Sequence, residues 1–94
     1  MSVVRVTTIN FKTKEAADNT VQSYSENAPT EFPEAEQLLQ LRVDDITVMA
    51  ISLYENNEAL ERASAARTKR MGSNQDKFTS VDTKVGTVEL NHSK

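Results

Sequence analysis

The sequence has no cysteine and no tryptophan, and only two glycines and two prolines among 94 residues. Without cysteine there are no disulfides, thiol nucleophiles or thiolate metal sites, and the redox compartment is left open. Two glycines are too few for a loop that cradles phosphate. No run approaches the roughly 18 apolar residues of a membrane helix, and Met1-Ser2-Val3-Val4-Arg5 has no basic segment leading into an apolar stretch. A cytoplasmic protein with no membrane partner is therefore expected. Positive charge is scarce as well: the net charge is −3, the pI is near 5.1, and the basic residues are scattered except at Arg67, Lys69 and Arg70. That balance argues against a nucleic-acid partner.

What is present is the composition of one folded domain spanning residues 1–94, with 27% charged and 37% hydrophobic residues. A chain this short buries only about 60 to 65% of its unfolded surface, so a partner subunit would widen its stability margin.

Residues 3–11 are rich in β-branched and aromatic types and predict a first strand. Thr13 is a suitable N-cap, Glu15 falls in the first turn, and Ala16, Ala17, Thr20, Val21 and Tyr24 recur at helical spacing to about Asn27. Pro29 and Pro33 predict a loop over 28–36. Residues 37–43 and 46–54 read as a hairpin around a two-residue turn at Asp44-Asp45. Asn56 or Asn57 caps a second helix, whose end is marked by Arg67, Lys69, Arg70 and a left-handed cap at Gly72. A polar stretch follows over 73–80, then a last strand through Val81 and 84–90, with Gly86 suggesting a bulge or a close approach. Together these predict an α+β fold of ferredoxin-like βαββαβ order, a four-stranded antiparallel sheet with two helices on one face.

A two-residue turn sets Val43 opposite Ile46, Leu41 opposite Val48 and Leu39 opposite Ala50, which makes one face wholly apolar. The other face carries Leu38, Met49, Ile51 and Leu53 among Gln40, Arg42 and Thr47. An antiparallel sheet with one wet face should alternate cleanly, and this hairpin does not. Two helices cover one face, so a second copy of the chain is expected on the other, making a homodimer, the alternative being that the loop at 28–36 or the C-terminal tail folds over it.

The Val4-Arg5-Val6 strand leading into Asn10-Phe-Lys-Thr-Lys-Glu-Ala-Ala, and the segment Ile51-Ser-Leu-Tyr-Glu-Asn-Asn-Glu-Ala-Leu, resemble the dimeric α/β-barrel superfamily, particularly its antibiotic-biosynthesis-monooxygenase-like domains. The resemblance covers nearly the whole chain. It implies a dimeric α/β barrel built on ferredoxin-like protomers and a pocket between sheet and helices for an aromatic or other apolar small molecule. It also implies one of the family's activities, cofactor-free oxygenation, haem degradation or isomerisation. The sequence departs from the active members in having no tryptophan, and in placing Ala63 where many carry a helix histidine. No cofactor and no metal are expected.

His92 is the sole histidine, so no histidine pair or Ser-His-Asp arrangement forms without it, and its place near the end of the sequence favours exposure. Asp44-Asp45 and the acidic Glu31, Glu34 and Glu36 fit no recognised metal or acid-base spacing and read as turn and solvated surface. The basic cluster at Arg67, Lys69 and Arg70 is better explained by the helix dipole than by an anion site. Tyr24 and Tyr54 are placed to line a sheet-helix pocket with their hydroxyls as polar handles. Met49, Asn10, Arg42 and His92 complete the ligand-pocket candidates, and Arg5 and Gln40 are further polar residues inside apolar strands. Strand three has an aromatic residue only at its end, Tyr54, unlike the exposed sheet aromatics of an RNA-recognition domain. Three readings follow: a homodimer binding an apolar or aromatic small molecule, a cofactor-independent monooxygenase or isomerase, and a structural or regulatory dimer with a filled core.

Overall fold

The computed structural model describes residues 2–94. The elements are β1 (Val3–Phe11), α1 (Lys14–Glu31), β2 (Gln37–Arg42), β3 (Thr47–Tyr54), α2 (Asn57–Ser73), a single 3₁₀ turn (Gln75–Lys77) and β4 (Phe78–Thr87). They form one antiparallel sheet in the order β2-β3-β1-β4, the ferredoxin-like arrangement. The β-branched β1 sits at its centre, with Val3 opposite Tyr54 on one side and Thr87 on the other.

Both helices start where the caps predict. The Thr13 hydroxyl accepts from the Ala16 N–H at 3.0 Å and the Asn56 side-chain oxygen from the Ala59 N–H at 2.9 Å. Their ends differ from expectation. α1 runs through Pro29 to Glu31, because Ala28 and Phe32 are both buried in the core and their packing outweighs an interior-proline cost of roughly 3 kcal/mol. α2 continues past Gly72 to an Asn74 cap, and neither glycine has positive φ, so there is no left-handed cap. β4 begins at Phe78 and stops at Thr87, not Leu90. The sheet's irregularity falls at Asn10/Phe11 rather than at Gly86, where an added Cβ would meet nothing within 4 Å.

The hairpin register is also corrected. Asp44 Oδ1 accepts from the Ile46 and Thr47 N–H groups at 3.0 and 2.8 Å, and the Val43 N–H donates to the Thr47 carbonyl at 2.9 Å. The loop therefore holds three residues, Asp44 to Ile46. Leu41 consequently pairs with Met49, Leu39 with Ile51, Gln40 with Ala50 and Arg42 with Val48. A one-residue shift exchanges the faces of β2 relative to β3. Leu38, Gln40 and Arg42 join Val48, Ala50, Ser52 and Tyr54 on the helix side. Leu39 and Leu41 join Met49, Ile51, Leu53, Val4 and Val6 on the other. That second face is more continuously apolar than expected, and none of these seven side chains is buried.

On the helix side the buried residues form two clusters. Val3, Tyr54, Ala28, Phe32, Ala59, Leu60 and Ala63 make one; Phe11, Ala17 and Val48, with Ile9, Val21 and Phe78 packed on them, make the other.

Candidate functional site

A cavity of about 60 Å³ has walls drawn from both clusters, Phe32 from the first and Phe11 and Val48 from the second. Its floor is the middle of the sheet: Arg5, Thr7 and Ile9 of β1, Val48, Ala50 and Ser52 of β3, and Gln40 of β2. Alternation on β1 and β3 aims these side chains toward the helices. Thr20 and Tyr24 close it from α1, and Arg67, Arg70 and Met71 from α2.

The lining combines an apolar surface with a few polar groups. The Thr20 hydroxyl is buried and has no partner among the described residues. Burial raises the Tyr24 phenol above its ordinary value against the opposing pull of Ser52, so it stays protonated and can donate. Gln40 donates to the Val21 carbonyl at 3.2 Å and to Ser25 Oγ at 3.0 Å. Arg5, only 5% exposed, donates to the Leu60 carbonyl at 3.3 Å and Ser64 Oγ at 3.2 Å. Arg67 donates to Thr83 Oγ1 at 2.7 Å and Thr7 Oγ1 at 3.3 Å, bridging β4 and β1. Burial, and then the charge of Arg5, lower the Arg67 pKa. Arg70 pairs with Glu31 at 2.7 Å and lies 5.4 Å from the centre of the Tyr24 ring.

That pair gives a pH prediction. Bonding to Arg70 lowers the Glu31 pKa below its ordinary 4.5. A carboxylate whose pKa falls on folding contributes stability that is complete above its unfolded pKa and lost as pH drops through the folded one. Glu31→Gln should therefore be less stable than wild type at pH 7, with the gap closing as pH falls below about 4.5 in urea melts. A gap unchanged at pH 3 would exclude the ion pair as its cause.

Of the six ligand-pocket residues expected from sequence, the structure brings Tyr24 to this cavity. Tyr54 is fully buried in the first cluster, its hydroxyl without a partner among the described residues and the Arg5 guanidinium 5.9 Å from its ring centre. Tyr54→Phe should raise stability by about 1 kcal/mol, because an unsatisfied buried hydroxyl is removed and the ring kept. Thermal unfolding would show a rise of roughly 4 to 8 °C, and a fall would reveal a hydrogen bond to that hydroxyl. Met49 points to the opposite sheet face. Asn10 lies at the end of β1, accepting from Thr47 Oγ1 at 2.8 Å and donating to Ser80 Oγ at 3.0 Å. Arg42 is paired with Asp18 at 2.9 Å and donates to the Asp44 and Asp45 carbonyls at the hairpin. His92 lies in the exposed stretch after β4.

Sequence reasoning assigned Arg67 and Arg70 to a helix end and missed them as lining. Because α2 extends to Ser73, Arg67 stands well inside it. The available signal was Arg5, an arginine on the helix-facing register of the central strand.

No protein-family model and no curated protein matches the sequence. Solved structures do match in fold. A dimeric ferredoxin-like protein from an uncultured marine organism superposes with a TM-score of 0.81 at 8% identity, over 99% of this chain and 92% of its own. A candidate antibiotic biosynthesis monooxygenase from Chloroflexus aurantiacus gives 0.80 at 7% identity, covering 99% and 98%. A cofactor-independent oxygenase from Streptomyces nogalater gives 0.68 at 14% identity, again covering 99% and 98%. The fold is thus ferredoxin-like α+β, the one shared by antibiotic-biosynthesis-monooxygenase-like proteins. Among the described residues no helix is long and apolar enough to cross a membrane.

Proposed function

We propose that this protein is a homodimer that binds a small, largely apolar molecule in the cavity between sheet and helices. The observation that carries the binding reading is the cavity itself, a largely apolar space between two cores whose lining includes Tyr24, Gln40 and the buried, unpartnered Thr20 hydroxyl. Dimerisation is supported by the apolar outer face of the sheet, where Leu39 is 47% and Leu41 40% exposed, and by the dimeric ferredoxin-like neighbour.

The test is a titration of the ¹⁵N-labelled protein with small aromatic and branched aliphatic compounds, followed by NMR. Binding in the cavity shifts the amides of Thr7, Thr20 and Ala50 together. A chemically varied set that leaves all three unmoved would overturn the reading.

Oxygenation without a cofactor, the activity of the Streptomyces neighbour, is a second reading. What favours it is Tyr24, a protonated phenol in the cavity wall that can donate to a substrate oxygen. Dioxygen uptake on adding a bound compound would support it, and binding without uptake would leave the protein a binder.

A further inference from the structure

The cavity wall carries three arginines, Arg5, Arg67 and Arg70, and they are not equivalent. Arg70 is neutralised by Glu31. Among the described residues no carboxylate lies within 4.0 Å of Arg5 or Arg67. Their partners are all neutral, a carbonyl and three hydroxyls. This occurs in a chain with fourteen acidic residues and a net charge of −3, so counter-ions are not scarce.

Withdrawing a cation from water without a counter-ion is costly, and placing a second beside it adds repulsion. Arg5 is 5% exposed, so a leucine or methionine would serve packing better there, while Arg67 is part-exposed. The lowered pKa of Arg67, due partly to Arg5, is consistent with two cations that feel each other. A guanidinium has five N–H donors in a planar fork that matches a planar oxyanion, and the neutral contacts leave donors of both groups unused. An anion supplied from outside would complete the site.

The rest of the wall specifies the anion's other end. Ile9, Phe11, Val48 and Met71 are apolar, so the molecule must have a hydrocarbon part. The volume of about 60 Å³ is well below the roughly 150 Å³ of a cavity that takes benzene. A branched chain of a few carbons fits most easily, and a single ring requires the flexible Met71 to move.

We propose that the ligand of this cavity is a small apolar monocarboxylate, its carboxylate bound by Arg5 and Arg67 and its hydrocarbon part lying against Ile9, Phe11, Val48 and Met71. The proposal rests on the binding reading above and adds the chemical class. It makes Arg67, part-exposed and bonded to the Thr7 and Thr83 hydroxyls, a binding residue.

The test compares isobutyrate and benzoate with isobutyramide and benzamide, neutral molecules of nearly the same shape, by NMR titration at fixed ionic strength. Wild type should bind the acids about tenfold or more tighter than the amides, the scale of charge-assisted hydrogen bonds. In Arg67→Met that preference should fall severalfold, the part that remains belonging to Arg5, which still lines the cavity. Arg67→Lys, which keeps the charge and loses the planar fork, should fall between them and serves if the methionine variant does not fold. Acids and amides binding the cavity equally in wild type would overturn the carboxylate proposal and leave the binding reading standing. No shift at the cavity amides with any of the four would overturn both. Displacement of benzoate by inorganic phosphate at equal concentration would also overturn it, since the hydrocarbon part would then contribute nothing.

Discussion

Tyr54→Ala should lower stability by about 3 to 5 kcal/mol, enough to take most of the margin of a domain this size. Tyr54 has no exposed surface and joins Val3 of β1 to Ala28 of α1, to Phe32 just past its end, and to Ala59, Leu60 and Ala63 of α2. The other large members of that cluster cannot fill the space without pulling a helix off the sheet, so much of the volume stays empty. The arginine beneath makes this worse, because Arg5 packs over the Tyr54 ring and would face the new void. Thermal unfolding should show a drop of roughly 15 to 30 °C or no cooperative transition. The contrast with Tyr54→Phe separates packing from the hydroxyl, since only the alanine variant loses the ring. Similar loss in both would mean that the hydroxyl has a partner.

Ile51→Asp should convert the proposed dimer to a monomer without unfolding it. Ile51 sits on central-sheet strand β3, opposite Val6 on one side and Leu39 on the other, on the face turned away from both helices. A two-fold axis through an isologous interface brings the same patch of each copy together, so one substitution enters twice. Burying unpaired carboxylates there costs several kcal/mol, and association should weaken at least a hundredfold. The helix-side core is untouched, so far-UV circular dichroism should be unchanged. A variant that still dimerises as tightly would place the interface elsewhere.

The sequence made the element order legible because each element carries its own local signal: β-branched runs in β1 and β3, Thr13 and Asn56 at the helix starts, two acidic residues at the hairpin. The errors arose where a tertiary contact outweighed such a signal. Pro29 is a helix stop by local rules, but the burial of Ala28 and Phe32 carries the helix past it. Asp44 reads as one of two turn residues, but its carboxylate caps two amides and lengthens the loop by one. That single residue exchanged the faces of β2. The outer apolar face survived the error because β2 has leucines in both registers, at 38, 39 and 41.

The cavity was less legible than the fold. Tyr24 could be placed from helical spacing alone. Arg67 could not, because its role depends on α2 crossing Thr7 and Thr83, a relation between elements that no local pattern encodes. Arg5 was visible as an anomaly in an apolar strand, and its meaning emerged only with the absence of a carboxylate beside it.

The proposed dimer closes the open sheet face with a second copy. Sedimentation equilibrium of the wild-type protein at micromolar concentration tests it most directly. A mass of twice 10.5 kDa, independent of modest dilution, is expected. A single species at 10.5 kDa would contradict it and leave that apolar face without an occupant.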